Sequence, residues 1–228
     1  MLKNNPELAV ILLVGFFLMS YVISVQMKWY GVARWKSVVV SLVLVFTGIY
    51  GSQLWFYVEN GYFYGKSFYG VIFLAPLVYL PVAWILRTPY GQLMDFCAPA
   101  GCLTLALVKI RCLRSGCCEG FIMGVDESYR YIKFPSQIVE MTAFLIISGI
   151  LFWMTTKEKY RTKIFPWFLV LYGGSRFVLN FFRAETAPFA LGLTAGSFWS
   201  VWAVLIGLVW LRILRRKTAG GNEKVYNI

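Results

Sequence analysis

The segment LVLYGGSRFVLNFFRAE, beginning at Leu169, sets two arginines and an asparagine among apolar residues. Tyr172, Arg176, Asn180 and Arg183 are spaced 4, 4 and 3 apart. At 3.6 residues per turn that spacing lines one narrow stripe of a helix. Charges inside apolar runs are expensive and usually face a protein interior or a cavity. Arg176 therefore has two open readings, a structural network between helices or a grip on an anion. Three further stretches carry chemistry of the same kind. PSQIVE puts Gln137 and Glu140 three apart on one face, with the carboxylate about one turn into an apolar run. LALVKIRC puts Lys109 and Arg111 two apart, so that one can face inward while the other snorkels out. KSFYG sets Tyr69 at the start of another apolar run. Arginine matches a phosphate bidentately and lysine meets it as a point charge. Together they suggest a cationic, aromatic, partly acidic cavity for a phospholipid phosphate.

The elements that must position these groups are membrane helices. The 228 residues are 59% hydrophobic and only 14% charged, with a mean hydropathy of +0.67, against about 25% charged in soluble domains. A helical span needs about 20 mostly apolar residues. Seven runs qualify, at 7–26, 37–57, 67–86, 95–112, 137–155, 164–182 and 194–214. The first is read as a retained span, not a cleaved signal. The net charge of +12 does not argue for nucleic acid, because most cations sit in short segments between the runs. Lys28, Arg34 and Lys36, then Arg87, then Lys157, Lys159, Arg161 and Lys163, then Arg212, Arg215, Arg216 and Lys217 fall on alternate connections. The positive-inside rule places them in the cytoplasm and the N-terminus outside.

The expected architecture is thus an all-α integral membrane protein. Residues 1–217 form one seven-helix domain with an outer loop at 113–136, and 218–228 form a short cytoplasmic tail. Tyr69, Lys109, Glu140 and the Arg176–Arg183 stripe then share one depth, in the outer half of the membrane. The outer loop takes in most of RCLRSGCCEG, Arg111 to Gly120, a motif that holds three of the five cysteines. Vicinal Cys117-Cys118 is not a zinc spacing and the chain has no histidine, so neither metal nor cofactor is expected. The thiols read as small packing residues.

These pieces, in this order, resemble the bacterial prolipoprotein diacylglyceryl transferase family. The resemblance runs from about Tyr57 to Gly207. It rests on SFYG at Ser67, MDFCAP at Met94, KIRCLRSGCCEG at Lys109, PSQIVE at Pro135, YGGSRFVLNFFR at Tyr172 and LTAGSFWS at Leu193. By position, Tyr172, Arg176 and Gly120 match essential family residues. Gln137 and Glu140 match its helix-start pair, and Arg183 its FFR arginine. Four positions depart from the family: Tyr69 stands for a histidine, Lys109 for the signature arginine, Cys112 for an asparagine and Asn180 for a glutamate. An aromatic motif of the first span is also replaced, by PELAVILL.

The resemblance implies transfer of diacylglyceryl from phosphatidylglycerol to the cysteine thiol of a prelipoprotein, in lipoprotein biosynthesis at the bacterial cytoplasmic (inner) membrane. It implies Arg176 and Lys109 as stabilisers of the leaving phosphate, and Glu140, Glu119 or Tyr69 as the base, with Glu140 ranked first. Tyr172, Asn180, Arg183, Gln137, Gly116, Gly120 and Arg111 would line the lipid site, where the two glycines admit close backbone approach. Two alternatives stay open: a paralogue using the same phospholipid site with another acceptor, and a non-catalytic lipid-binding membrane protein.

Overall fold

The structure, a computed structural model, describes residues 6–125, 129–184 and 188–219. Every expected apolar run coincides with helix. The helices are α1 (Pro6–Trp29), α2 (Lys36–Phe46), α3 (Ser52–Asn60), α4 (Tyr69–Leu86), α5 (Tyr90–Ser115), α6 (Ser136–Thr155), α7 (Ile164–Asn180) and α8 (Ala195–Ala219). A π-helical turn at Thr47–Gly51 joins α2 to α3 into one rod. Among the described residues, five helical segments are long and apolar enough to cross a membrane: Lys36–Asn60, Tyr69–Leu86, Tyr90–Ser115, Ser136–Thr155 and Ala195–Arg216. The protein is therefore an all-α membrane protein. The sixth expected run forms a helix of 17 residues, α7, which falls below this criterion. The first lies in α1, a helix of 24 residues whose apolar segment within the described side chains is Leu13–Trp29.

The fourth run is longer than expected. α5 begins at Tyr90, just after Pro89, and takes Asp95 into its interior. A fully buried carboxylate survives there because it serves another helix. Asp95 accepts backbone N–H bonds from Thr162 (2.5 Å), Ile164 (2.9 Å) and Phe165 (3.2 Å). These donors lie at and just before the start of α7, where a helix leaves N–H groups without partners of its own. At the same end of the bundle, Lys36 Nζ donates to the carbonyl of Leu86 (2.6 Å), the last residue of α4, and Arg161 lies over the Tyr30 ring. Asp95 and Lys36 thus complement opposite helix poles.

At the other end, α4 meets the π turn at van der Waals limits. A Cβ on Gly70 would lie 2.0 Å from the Gly51 carbonyl oxygen, so the glycine after Tyr69 is what lets the two backbones touch. The expected outer loop is not irregular throughout. It carries an antiparallel hairpin of β1 (Ile122–Val125) and β2 (Tyr131–Lys133). Asp126 and Glu127 fall outside the described residues, as do 220–228 of the expected tail. The interior is apolar, built on Met19, Ile23, Met27, Tyr79, Phe96, Phe144 and Leu151. A few polar ties cross it, among them Tyr79 Oη to the Val40 carbonyl (2.6 Å) and Ser148 Oγ to the Pro99 carbonyl (2.8 Å).

Candidate functional site

Glu140 has no exposed surface, and cations from two other helices and a turn converge on it. Lys109 near the end of α5 pairs with Oε2. Arg176 of α7 pairs with Oε1 through Nη1. Arg183, three residues beyond the end of α7, reaches the same oxygen at 3.3 Å. The Lys109 and Arg176 side chains are each 13% exposed. Among the described residues these two cations outnumber the carboxylate they share by one charge. Such a surplus is costly in a buried place and favours a further anion. Arg176 also lies within electrostatic reach of the Tyr69 and Tyr172 hydroxyls. The choice the sequence posed for Lys109 and Arg111 is decided as well, because Lys109 turns inward and Arg111 is exposed.

The remaining expected site residues divide. Tyr172 is buried among Phe68, Tyr69, Phe144 and Phe168, so its ring forms the apolar wall beside Arg176. Tyr69 is tied to α8, where its hydroxyl donates to the Gly196 carbonyl (2.9 Å) and meets Ser200 Oγ at 2.6 Å. Asn180, the last residue of α7, turns its side chain to α8. Its amide donates to Thr194 and, at 2.8 Å, to Ser197 Oγ. The four-residue stripe is corrected at its end: Tyr172, Arg176 and Asn180 share α7, with the Asn180 amide turned to α8, and Arg183 reaches Glu140 from outside the helix.

Gln137 and the glycines shape the loop. Gln137 Nε2 donates to the Cys117 carbonyl (2.9 Å), and Ser136 Oγ to the Cys118 carbonyl (2.6 Å). Gly116 ends α5 in the left-handed region at φ 65°. Gly120 is buried where a Cβ would stand 2.4 Å from the Phe134 carbonyl oxygen and 2.9 Å from that of Phe182. A backbone bond from Gly120 to Phe134 closes the loop on itself, and bonds from Phe121 to Phe182 and from Ala184 to Glu119 weld it to the chain after α7. That weld holds Arg183 over Glu140. Glu119, one of the candidate bases, pairs with Lys133 in the open part of the loop.

The cysteines are another correction. Cys97 and Cys102 are buried packing residues as expected, but Cys117 is exposed, and Cys112 and Cys118 are partly so. The sulfur atoms of Cys112, Cys117 and Cys118 lie within 4.8 Å of one another. The Cys118 thiol is pulled below the ordinary thiol range, first by its hydrogen bond from Cys112 and then by Lys109 and Arg183. Linear spacing hid this grouping because the left-handed turn at Gly116 folds the chain back on the last turn of α5. A glycine between cysteines was the available signal.

A family model described as prolipoprotein diacylglyceryl transferase matches residues 8–213. The chain belongs to that family. Family members it resembles include the phosphatidylglycerol--prolipoprotein diacylglyceryl transferase of Acinetobacter baumannii (strain SDF), 29% identical over 178 residues, or 70% of this chain and 65% of that one. The protein of the same name from Clostridium tetani is 22% identical over 127 residues, 51% of each chain. That from Acinetobacter baylyi is 33% identical over 114 residues, 47% of this chain and 41% of that one. This family member spans between about two fifths and two thirds of the length of these relatives.

Proposed function

We propose that this family member is a diacylglyceryl transferase that binds phosphatidylglycerol through Lys109 and Arg176 and passes its diacylglyceryl group to a prelipoprotein cysteine. The observation that carries the reading is the buried pair of cations sharing the single Glu140 carboxylate. Membrane-embedded cation pairs of this kind suit a lipid phosphate. In the reaction the acceptor thiolate attacks a glycerol carbon. A C–S bond forms, the C–O bond to phosphate breaks, and glycerol phosphate departs with the electron pair. Lys109 and Arg176 stabilise the charge that grows on the departing oxygen. Phosphate entry also draws those cations away from Glu140, leaving its carboxylate open to take the thiol proton. Tyr172 and Tyr69 wall the site, and Gln137, Gly116 and Gly120 hold the loop that seats Arg183. Arg111, at the exposed edge, meets lipid headgroups.

In this reading seven helices span the bacterial cytoplasmic membrane, with the N-terminus and the 113–136 loop outside. The charge pattern of the connections supports it. A membrane-impermeant maleimide added outside right-side-out vesicles should label exposed Cys117, and labelling from the cytoplasmic side alone would reverse the topology. Activity is tested by mass spectrometry of purified protein with phosphatidylglycerol vesicles and a lipobox peptide. A diacylglyceryl thioether on the peptide is the expected product. A second reading, lipid binding without catalysis, is favoured by one observation: the Tyr69 hydroxyl is committed to Gly196 and Ser200. It predicts bound phosphatidylglycerol and no thioether.

A further inference from the structure

The thiols of the loop are not used in that mechanism, and their arrangement is built from both sides. Cys112 projects from the last turn of α5, and the Gly116 turn brings the chain back. Cys118 adopts φ 61°, a left-handed conformation that a residue with a side chain takes only against steric resistance. The conformation is held by α6, whose first two residues bond the carbonyls of Cys118 and Cys117. Three sulfur atoms are thus assembled before any ligand arrives.

We propose that Cys112, Cys117 and Cys118 form a three-thiolate site for a soft d10 metal ion, Zn2+ or Cu+. With metal–sulfur bonds of about 2.3 Å, three sulfurs around one ion stand about 3.8–4.0 Å apart in tetrahedral or trigonal geometry. The three sulfurs here lie within 4.8 Å of one another, so side-chain adjustments that shorten their separations by at most about 1 Å close the set. An all-sulfur donor set selects soft ions over the hard, oxygen-seeking ones. Exposed Cys117 gives the ion a path in and leaves a position open to water. Each thiol releases its proton to solvent as its metal–sulfur bond forms. Three thiolates around Zn2+ carry one net negative charge, and the single-charge surplus of Lys109 and Arg176 over Glu140 lies beside them, with Lys109 acting electrostatically on both Cys112 and Cys118. The metal would tie the end of α5 to the loop that seats Arg183.

The test requires neither lipid nor turnover, so its outcome is independent of the transferase reading. The full chain, reduced and kept anaerobic in detergent, is titrated with Cd2+ and followed by its thiolate-to-metal charge-transfer absorption. Zn2+ and chelator-buffered Cu+ then compete, and native mass spectrometry counts the bound ion. The expected result is one ion per chain, held as Zn2+ or Cu+. Cys112→Ser, Cys117→Ser and Cys118→Ser should each weaken it by about 100-fold or more, since even outer-shell partners of metal ligands are worth about 10–100-fold. Cys102→Ala should bind normally. Wild-type protein that holds no stoichiometric ion once reduced overturns the proposal, whatever the variants do. So does an ion retained undiminished by folded Cys112→Ser.

Discussion

Asp95 and Glu140 are both carboxylates with no exposed surface, and they sit at opposite ends of the helix bundle. Their partners differ in kind. Asp95 is satisfied by three backbone N–H groups at the start of α7, donors that cannot leave and carry no net charge. Glu140 is held by long side chains that bring more positive charge than it can neutralise. The first arrangement is closed and completes a helix terminus; the second has capacity left for an anion. Burial of an acid therefore does not mark a site by itself, whereas the mobility and charge of its donors do.

The sharpest way to break this contrast is Arg176→Lys. If Arg176 grips phosphate in a bidentate fork, the variant should fold normally yet lose about 100-fold or more in turnover of phosphatidylglycerol, comparable to loss of one oxyanion donor. Near-normal turnover in the folded variant would make the Glu140 pair as structural as Asp95.

Glu140→Ala comes next. It strands Lys109 and Arg176 without their carboxylate, and breaking a buried pair costs about 3–5 kcal/mol. Its melting temperature should fall in detergent and recover partly in phosphatidylglycerol, whose phosphate can replace the missing charge. No lipid-dependent recovery would count against an anion site.

Asp95→Ala should lose about 1–3 kcal/mol, the scale of leaving a buried donor unsatisfied. Its loss should be indifferent to phosphatidylglycerol, and turnover per folded molecule should hold. A large fall in turnover would join the two ends functionally. The smallest effect is expected from Cys117→Ser with Cys118→Ser, which should leave most transferase activity, because the proposed displacement uses neither thiol. Complete loss of activity in well-folded protein would place them in the reaction itself.

Much of the site was legible in the chain because helical period fixes which residues share a face. Gln137 and Glu140 are both buried as their spacing implies, and Lys109 and Arg111 divide inward and outward. The limits of that logic appear at Asn180. It has the right period for the Arg176 stripe but ends α7 opposite Thr194 and Ser197, which bind it instead.

What the sequence determined by itself was the set of apolar runs, the alternation of their connecting charges and the motif order that marks the family. These follow from local composition and period. What only the tertiary structure decided was the choice of partners: Asp95 with the start of α7, Tyr69 with α8, the cations of three segments with Glu140, and three thiols with one another. Each choice joins residues through a fold contact or a left-handed turn. Periodicity gives a side chain its face, but the neighbour across that face is set by how the helices assemble.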